Sequence, residues 1–436
     1  MEQFVVILIL LLMILISYIF EKNLYNPLFV FLMLFLVITI LSSLQLYGML
    51  PFSSKPYWII LIGCLGYFVG YVFLRLSRNR KIKLFGNQTM NNYTFNDKLI
   101  KCINILLLIF YAATAIRVFI SMRNYDLDYS SMRTLYANGT KEEQVRLIFG
   151  SSFLQTLELL FFKPMLFSML SITITRIFTK MKFDKQSLIT LITLLLNVAV
   201  NFSRIVLVQI AFCTLITYFT FGNKFNKEEK IKIKKVFKKY IVPGIMIFLV
   251  LFIYISHARQ SNRSNSLSFD EELYSYLSIP LPIMDKWINY IDNNHIQTYG
   301  ALFVRGGISI LDMLTNKLGF HFPGYTISTE IVNSTQEFLH IFPNHNYNAF
   351  TTMFYYFYVD WREIGVFLGS AIYGMLMSIS YIKTKNEKNN LLYCAYFVML
   401  LQGLLKSFVR WEFVQTSYIL SFIYILFMIK KKATGK

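Results

Sequence analysis

Five basic residues lie inside the hydrophobic segments of this chain or at their ends, where positive charge is normally scarce. They are Arg117, Lys163, Arg204, Lys406 and Arg410. A cation buried in a bilayer is costly, so such side chains usually line a cavity and meet a partner. Five of them together predict an anionic ligand that enters from the outer face, which points to chemistry on a lipid phosphate.

Arg204 is the sharpest single candidate, because Asn201-Phe202-Ser203-Arg204 falls at a break between two short apolar segments. A guanidinium keeps its charge at any relevant pH and holds phosphate oxygens through two parallel hydrogen bonds. The alternative is an arginine that ends a helix and extends to the lipid headgroups. The sequence leaves both interpretations open.

The other cations also have two interpretations. Lys163 follows Glu158 by five residues within one apolar segment, and the alternative to ligand binding is an internal ion pair. Lys406 and Arg410 share a helix face, and with Glu412 they could equally form an outer rim.

Two arginines of a long polar loop are further candidates for binding an anion. Arg259 and Arg305 lie in the stretch 258–347, and Arg305 precedes Gly306-Gly307, which lets backbone approach a bulky ligand closely. Either arginine alone is more often a solvated surface residue.

A polar and aromatic segment follows this loop and leads into an apolar helix. Asn348, Tyr355, Tyr358, Asp360 and Trp361 are typical of sugar recognition, in which rings stack on pyranose faces. The alternative is an aromatic belt at the membrane surface. A belt does not require the asparagine and the aspartate, so we favour a sugar site.

The composition defines the elements that must position these residues. The chain has 436 residues, of which 56% are hydrophobic, and long uncharged runs recur throughout, which predicts a multi-pass membrane protein. We predict an all-α bundle of about eleven spans with a large extracytoplasmic loop that contains short interfacial helices. In this loop, Pro280 and Pro282 predict a helix break, and 301–318 predicts an amphipathic helix at the membrane surface. The predicted spans are 3–20, 27–43, 57–75, 99–120, 152–176, 187–200, 204–221, 241–257, 363–382, 391–409 and 413–430.

The positive charge predicts the orientation. The net charge is +20, and the stretch 222–240 alone holds eight lysines. Basic stretches near 78–83, 180–185, 383–388 and 430–432 join it on the cytoplasmic side by the positive-inside rule, so nucleic acid is not the expected partner. The stretch 258–347 then lies outside, between a first membrane part at 1–257 and a last part at 348–436. Four separated cysteines predict neither a disulfide nor a metal site.

Motifs for several other chemistries are absent from the sequence. There is no Walker loop, no HExxH and no GxSxG. Asp126-Leu127-Asp128 matches the DxD of metal-dependent glycosyltransferases, but it falls in an outer loop and we interpret it as a solvated pair. We therefore expect no cofactor, no metal and no coupling to ATP.

The topology and the local motifs resemble the Wzy-type polymerases of bacterial surface polysaccharides. The resemblance depends on the span pattern with a large outer loop after the eighth span, on the arginine after Asn201-Phe202-Ser203, and on two later motifs. These are Asn348-Ala349-Phe350-Thr351 and Asp360-Trp361-Arg362-Glu363-Ile364-Gly365, followed by Gly374. The chain has Asp-Trp-Arg where Asp-Phe-Gly is common in that family.

The resemblance implies a reaction in the bacterial cytoplasmic membrane. A glycan on undecaprenyl pyrophosphate would be transferred to a new lipid-linked repeat unit, with a chain-length regulator as a further possible partner. We expect Arg204, Arg259, Arg305, Lys163 and Arg410 to bind the pyrophosphate, and Asn348, Tyr355, Tyr358 and Trp361 to bind sugars. His345, Asp360 and His257 are the candidate general bases. An O-antigen-type ligase and a lipid-linked oligosaccharide flippase are the alternatives.

Overall fold

A computed structural model describes residues 2–79, 93–222, 225–260, 268–343, 345–386 and 390–431. These residues are mostly helical, with four short strands. The basic stretch predicted near 78–83 lies outside the described residues from Arg80 onward.

Nineteen α-helices occur in the described ranges, numbered in chain order. The helices α1 to α19 are Glu2–Glu21, Pro27–Leu44, Lys55–Asn79, Asp97–Asn124, Tyr129–Asn138, Lys141–Gln144, Ser152–Leu157, Lys163–Lys180, Lys185–Asn201, Ile205–Gly222, Lys227–Val236, Val242–Gln260, Phe269–Ser278, Pro280–Asn293, Arg305–Thr315, Tyr325–Ser334, Thr352–Asn386, Leu391–Lys406 and Thr416–Met428. The strands β1 to β4 are Tyr93–Phe95, Leu339–Phe342, His345–Tyr347 and Ile429–Lys431.

Among the described residues, eight helical stretches are long and apolar enough to cross a membrane. They are Glu2–Glu21, Pro27–Leu44, Lys55–Leu76, Asp97–Asn124, Ser152–Lys180, Ile205–Gly222, Lys227–Ile255 and Thr352–Lys385. Three shorter apolar helices, α9, α18 and α19, coincide with the other three predicted segments. The chain is thus a multi-pass membrane protein built from helices.

Contacts divide the chain into two compact units. Unit 1 comprises 1–88, 267–382 and 403–416, and unit 2 comprises 89–266, 383–402 and 417–436. Each unit is assembled from segments that are distant in sequence, so this division crosses the three consecutive parts expected from the sequence.

In unit 1, α3 packs closely against the second half of α17. Gly66 and Gly70 of α3 lie against the backbone carbonyls of Phe367 and Ala371, and Gly374 of α17 lies against the carbonyl of Tyr67. Small residues four positions apart allow two membrane helices to approach at the backbone. This contact fixes the direction in which α17 leaves the aromatic segment.

The helix α17 contains a break that the sequence did not predict. Trp361 and Arg362 have non-helical backbone angles, and Arg362 has a φ of 51°, so the helix consists of 352–360 and 363–386. The second part begins at residue 363, as the predicted span 363–382 does, and the aromatic run before it forms a helix of its own.

The loop of unit 1 is more ordered than its composition alone indicates. The helix break predicted at Pro280 is present, because α13 ends at Ser278 and α14 begins at Pro280. Pro280 lies in the first turn of α14, where its missing N–H leaves no hydrogen bond unmade. The predicted helix 301–318 is shorter, because α15 begins only at Arg305 and ends in a 3-10 turn. Strands β2 and β3 form an antiparallel hairpin, so the fold is helical but not strictly all-α.

Unit 2 is built around the contact of α4 with α9. The helix α9 ends at Asn201, Phe202 adopts a left-handed conformation, and α10 begins at Ile205. The break predicted before Arg204 is confirmed. Strands β1 and β4 pair antiparallel, with Tyr93 opposite Lys431.

The glycine contact between α3 and α17 makes a specific prediction. We expect Gly70→Ala to lower the free energy of unfolding by about 1–3 kcal/mol, because the new methyl group meets the Ala371 carbonyl. The matched control is Gly222→Ala, since the space at Gly222 is open, and its effect should stay within about 0.5 kcal/mol. Thermal unfolding of the purified protein measures both. Equal shifts in the two variants would contradict this packing.

Candidate functional site

Two cations of unit 1 share one buried carboxylate. Lys406 Nζ lies 3.2 Å from Glu412 Oε2, and Arg410 Nε lies 2.8 Å from Glu412 Oε1. The side chains of Glu412 and Lys406 are only 2% and 9% exposed. The alternative from the sequence was that these three residues form an outer rim; the structure brings them together as an ion-paired group whose carboxylate and lysine are buried.

Arg305 adds a third cation to this group. Its Nη1 donates to the Val414 carbonyl at 2.9 Å and its Nη2 to Thr329 Oγ1 at 3.2 Å. Its Nε is buried without a partner within the described ranges. The hydroxyl of Tyr356 interacts electrostatically with both Arg305 and Arg410, so the two arginines face a common neighbour.

We call Arg305, Lys406, Arg410 and Glu412 the basic cluster. Three cations against one carboxylate leave a net charge of two. Burial lowers the pKa of the Arg305 guanidinium, because removal from water disfavours its charge. Guanidinium nevertheless stays protonated, so the excess charge persists. Such an excess in a buried place is suited to an anionic ligand.

Arg410 has free hydrogen-bonding capacity for that ligand. In the part of the chain that the structure describes, the Nε bond to Glu412 is the one hydrogen bond of its side chain, and the two terminal nitrogens have no protein partner. Its side chain is 29% exposed, whereas those of Lys406 and Glu412 are buried. The terminal nitrogens therefore form the accessible edge of the basic cluster.

Asp360 holds the loop that carries Arg305. Its Oδ1 accepts hydrogen bonds from the Thr298 hydroxyl at 2.6 Å and from the backbone N–H groups of Gly300 and Leu302 at 2.9 and 3.1 Å. Its Oδ2 accepts from the Phe303 N–H at 2.8 Å. Asp360 is 1% exposed and its carboxylate is fully engaged, which indicates that it positions the loop.

Trp411 joins the same loop to the basic cluster. Its Nε1 donates to the Phe303 carbonyl at 2.9 Å, and its ring packs on Phe357 and Tyr373 with centroids 4.9 and 5.1 Å away. A methyl group at Gly306 would lie 2.6 Å from the Phe413 carbonyl. The close approach predicted at Gly306 is therefore to the chain's own backbone, not to a ligand.

A second polar cluster in unit 1 was not predicted. Asp292 lies at the end of α14, and its Oδ1 is 3.1 Å from Arg362 Nη1. Its carboxylate also accepts hydrogen bonds from the Tyr358 hydroxyl at 3.0 Å and from Lys55 Nζ at 2.6 Å. The side chains of Asp292 and Arg362 are each 28% exposed. We call Lys55, Asp292, Tyr358 and Arg362 the Asp292 cluster. It offers donors and an acceptor to a polar ligand.

The predicted sugar-binding residues separate by exposure. Trp361 is 44% exposed and its ring lies over Gly300, so it can stack on a sugar. Tyr358 is 2% exposed and is held by Asp292. Tyr355 is fully buried, and Asn348 donates to the Gln336 carbonyl at 2.7 Å. Among the three aromatic residues of this group, Trp361 is thus the one with a substantially exposed side chain.

Three of the predicted pyrophosphate ligands belong to unit 2. Arg204 is 6% exposed, in the turn after α9, where Arg133 Nη1 also donates to the Asn201 carbonyl at 3.0 Å. Lys163 follows a π-helical turn that begins at Glu158, and its charge acts on that buried carboxylate. The third, Arg259, lies in α12.

The histidines predicted as bases are placed by their backbone alone. His345 begins β3, and His257 lies in α12 close to Arg259; the description covers no side chain at these three positions. Among the described residues, no group of three or more His, Cys, Asp and Glu is arranged to hold a metal ion.

In comparisons with known proteins, no protein-family model, no curated protein and no solved structure matches the chain.

The role of Asp360 can be tested directly. We expect Asp360→Asn to lower the free energy of unfolding by about 1–3 kcal/mol, because an amide cannot accept from the Thr298, Gly300, Leu302 and Phe303 donors together. Thermal unfolding and proteolysis at 298–304 measure the change. Asp126→Asn, at an exposed position, is the control. An unchanged melting temperature with abolished activity would instead favour a general base.

Glu412 makes a pH-dependent prediction. Burial alone would raise the pKa of this carboxyl, but Lys406 and Arg410 outweigh burial and lower it to about 2. The folded-state pKa is thus below the unfolded one, so the ion pairs stabilise the protein above about pH 4.3, and this stability is lost as the pH falls towards 2.

We expect Glu412→Gln to cost about 3–5 kcal/mol at neutral pH, since it leaves two buried cations without a counter-charge. Its stability should also change less between pH 4.5 and 2 than that of the wild type. Chemical denaturation over this pH range measures both effects. Glu337→Gln, at an exposed position, should keep the wild-type slope. A Glu412→Gln variant as stable as the wild type would refute the counter-ion role.

Proposed function

We propose that this protein is a membrane glycosyltransferase of the Wzy polymerase type, which joins lipid-linked oligosaccharide repeat units on the outer face of the bacterial cytoplasmic membrane. The observation that supports the proposal is the excess positive charge of the basic cluster, which has one carboxylate for three cations. A pyrophosphate diester carries two negative charges and would neutralise that excess.

The proposed reaction breaks the bond between the anomeric carbon of the growing glycan and its pyrophosphate oxygen. A hydroxyl oxygen of the new repeat unit forms the new bond to that carbon, its proton passes to a general base, and undecaprenyl pyrophosphate leaves. Negative charge develops on the leaving group as this bond breaks. Fixed cations in a water-poor place stabilise such charge without having to reorganise.

Each member of the basic cluster has a defined part in this proposal. The terminal nitrogens of Arg410 would bind phosphate oxygens, and Arg305 would supply charge from the loop that Asp360 holds. Glu412 keeps Lys406 and Arg410 in place without cancelling their charge. Lys163, Arg204 and Arg259 belong to unit 2 and remain the pyrophosphate-binding candidates that the sequence predicts.

The acceptor sugar has a second group of residues available. Trp361 would stack on a sugar ring, and the Asp292 cluster would hydrogen-bond the sugar hydroxyls. Asp360 is engaged by four donors, so His345 of unit 1 is the proposed general base for this reaction, and His257 remains a candidate from the sequence alone. A base near the operating pH supports proton transfer best, which suits an imidazole.

Reconstitution with a purified lipid-linked repeat unit tests the proposal. We expect products longer than one repeat without added ATP or metal. Arg410→Lys and Arg305→Lys should each lower kcat by about 10²-fold, because lysine keeps the charge but loses the planar pair of donors. Arg123→Lys, at an exposed position, is the matched control and should retain wild-type rates.

The product pattern separates this function from its competitors. Transfer to a different acceptor without elongation would indicate an O-antigen-type ligase. Lipid transfer between leaflets without a new glycosidic bond would indicate a flippase. Either result would refute the polymerase assignment.

A further inference from the structure

Unit 2 contains an apolar groove among α8, α9, α10 and α12. Its walls include Leu170, Ile174, Leu194, Ile210 and Ile245, and it encloses about 560 Å³ that no atom fills, part of it open to the outside. Gly244 lines it, and a methyl group there would meet nothing within 4 Å.

Three hydroxyl groups in the groove wall already have hydrogen-bond partners. Thr173 Oγ1 donates to Thr190 Oγ1 at 3.1 Å, and Thr190 in turn donates to Asn104 Oδ1 at 2.9 Å. Ser187 Oγ donates to Asp184 Oδ1 at 2.9 Å. Because most of the remaining wall is apolar, an occupant of this groove gains chiefly from apolar contact. Because its walls belong to apolar helices long enough to cross a membrane and to α9, the available apolar occupant is a lipid chain.

One end of the groove carries aromatic rings and positive charge. The rings of Phe183 and Tyr240 stack with centroids 4.8 Å apart, and both residues line the groove. The lysines that adjoin these two residues in sequence are exposed, and no carboxylate pairs with them in the described ranges. They are Lys182, Lys185, Lys238 and Lys239.

The nearest acidic residue does not compensate these lysines. Asp184 lies 2.7 Å from Arg176 Nη2 and also caps α9 by accepting the Ser187 N–H. Both bonds lower the pKa of Asp184 against the opposing effect of its burial, so it stays ionised but engaged. Four lysines at the end of an apolar groove match the headgroup and the chain of an anionic lipid.

We propose that this groove binds an anionic phospholipid of the cytoplasmic leaflet, with one acyl chain along Gly244 and the phosphate among the four lysines. This site is separate from the basic cluster and does not depend on the proposed polymerase activity. Basic stretches face the cytoplasm by the positive-inside rule, and that leaflet holds anionic lipids.

The test uses full-length protein that has been delipidated in maltoside detergent. Dioleoylphosphatidylglycerol and dioleoylphosphatidylcholine, which share their acyl chains, are added separately and the melting temperature is measured. We expect the glycerol lipid to raise it by several degrees more than the choline lipid. The double variant Lys238→Ala/Lys239→Ala should remove this difference and leave the lipid-free melting temperature unchanged.

The matched control is Lys98→Ala/Lys101→Ala, which removes two exposed lysines that do not adjoin the groove lining, and it should keep the difference. Gly244→Phe fills the groove and should remove the response to both lipids; if it does not fold, the lysine variants still decide. Equal shifts for both lipids in the wild type, or an unchanged difference in Lys238→Ala/Lys239→Ala, would overturn the proposal. So would a larger shift with undecaprenyl phosphate than with phosphatidylglycerol.

Discussion

Much of the candidate site in unit 1 depends on the balance of charge around Glu412. A single buried carboxylate holds Lys406 and Arg410 at ion-pair distance, and without it two cations would face each other in a place with little water. The single negative charge of Glu412 does not balance the three cations of the basic cluster. Arg305 has only neutral hydrogen-bond partners, the Val414 carbonyl and the Thr329 hydroxyl. The protein thus tolerates positive charge that a ligand can use.

The position of Arg305 depends in turn on Asp360. The helix 352–360 ends at this residue, and the break at Trp361 and Arg362 lets the next helix start in a new direction. The loop 298–303 covers this helix end, because the N–H groups of the loop donate to the Asp360 carboxylate. Glycine at position 300, with a φ of 95°, permits both the turn and the contact with the Trp361 ring.

Local patterns in the sequence predicted the elements better than the site. The break before Arg204 could be recognised from two short apolar runs, and the start of α14 from Pro280. The length of α17 could not, since Thr352–Asp360 carries aromatic and polar residues that also suit a loop. Whether a side chain is buried depends on packing partners from elsewhere in the chain, which explains why Tyr355 resembled a sugar platform and is a core residue.

The Asp292 cluster explains the limit of such predictions. Asp292 and Lys55 are 237 positions apart in sequence, so no periodicity or spacing could indicate their contact. Pairing in the basic cluster was predictable because Lys406, Arg410 and Glu412 lie within seven consecutive residues. Arg305 joined them only through folding.

The two aspartates also show why a motif can mislead about chemistry. Asp360 stands in the most motif-like segment, yet its oxygens are occupied by four donors and it is almost inaccessible. Asp292 stands in no motif, but it is partly exposed beside two cations and a tyrosine hydroxyl. A residue that maintains the fold uses its hydrogen-bonding atoms on other parts of the protein. A residue that binds a substrate needs hydrogen-bonding atoms that solvent can reach. By this criterion the segment around Asp360 supports the candidate site, and Arg410, Trp361 and Asp292 are the residues proposed to bind the substrate.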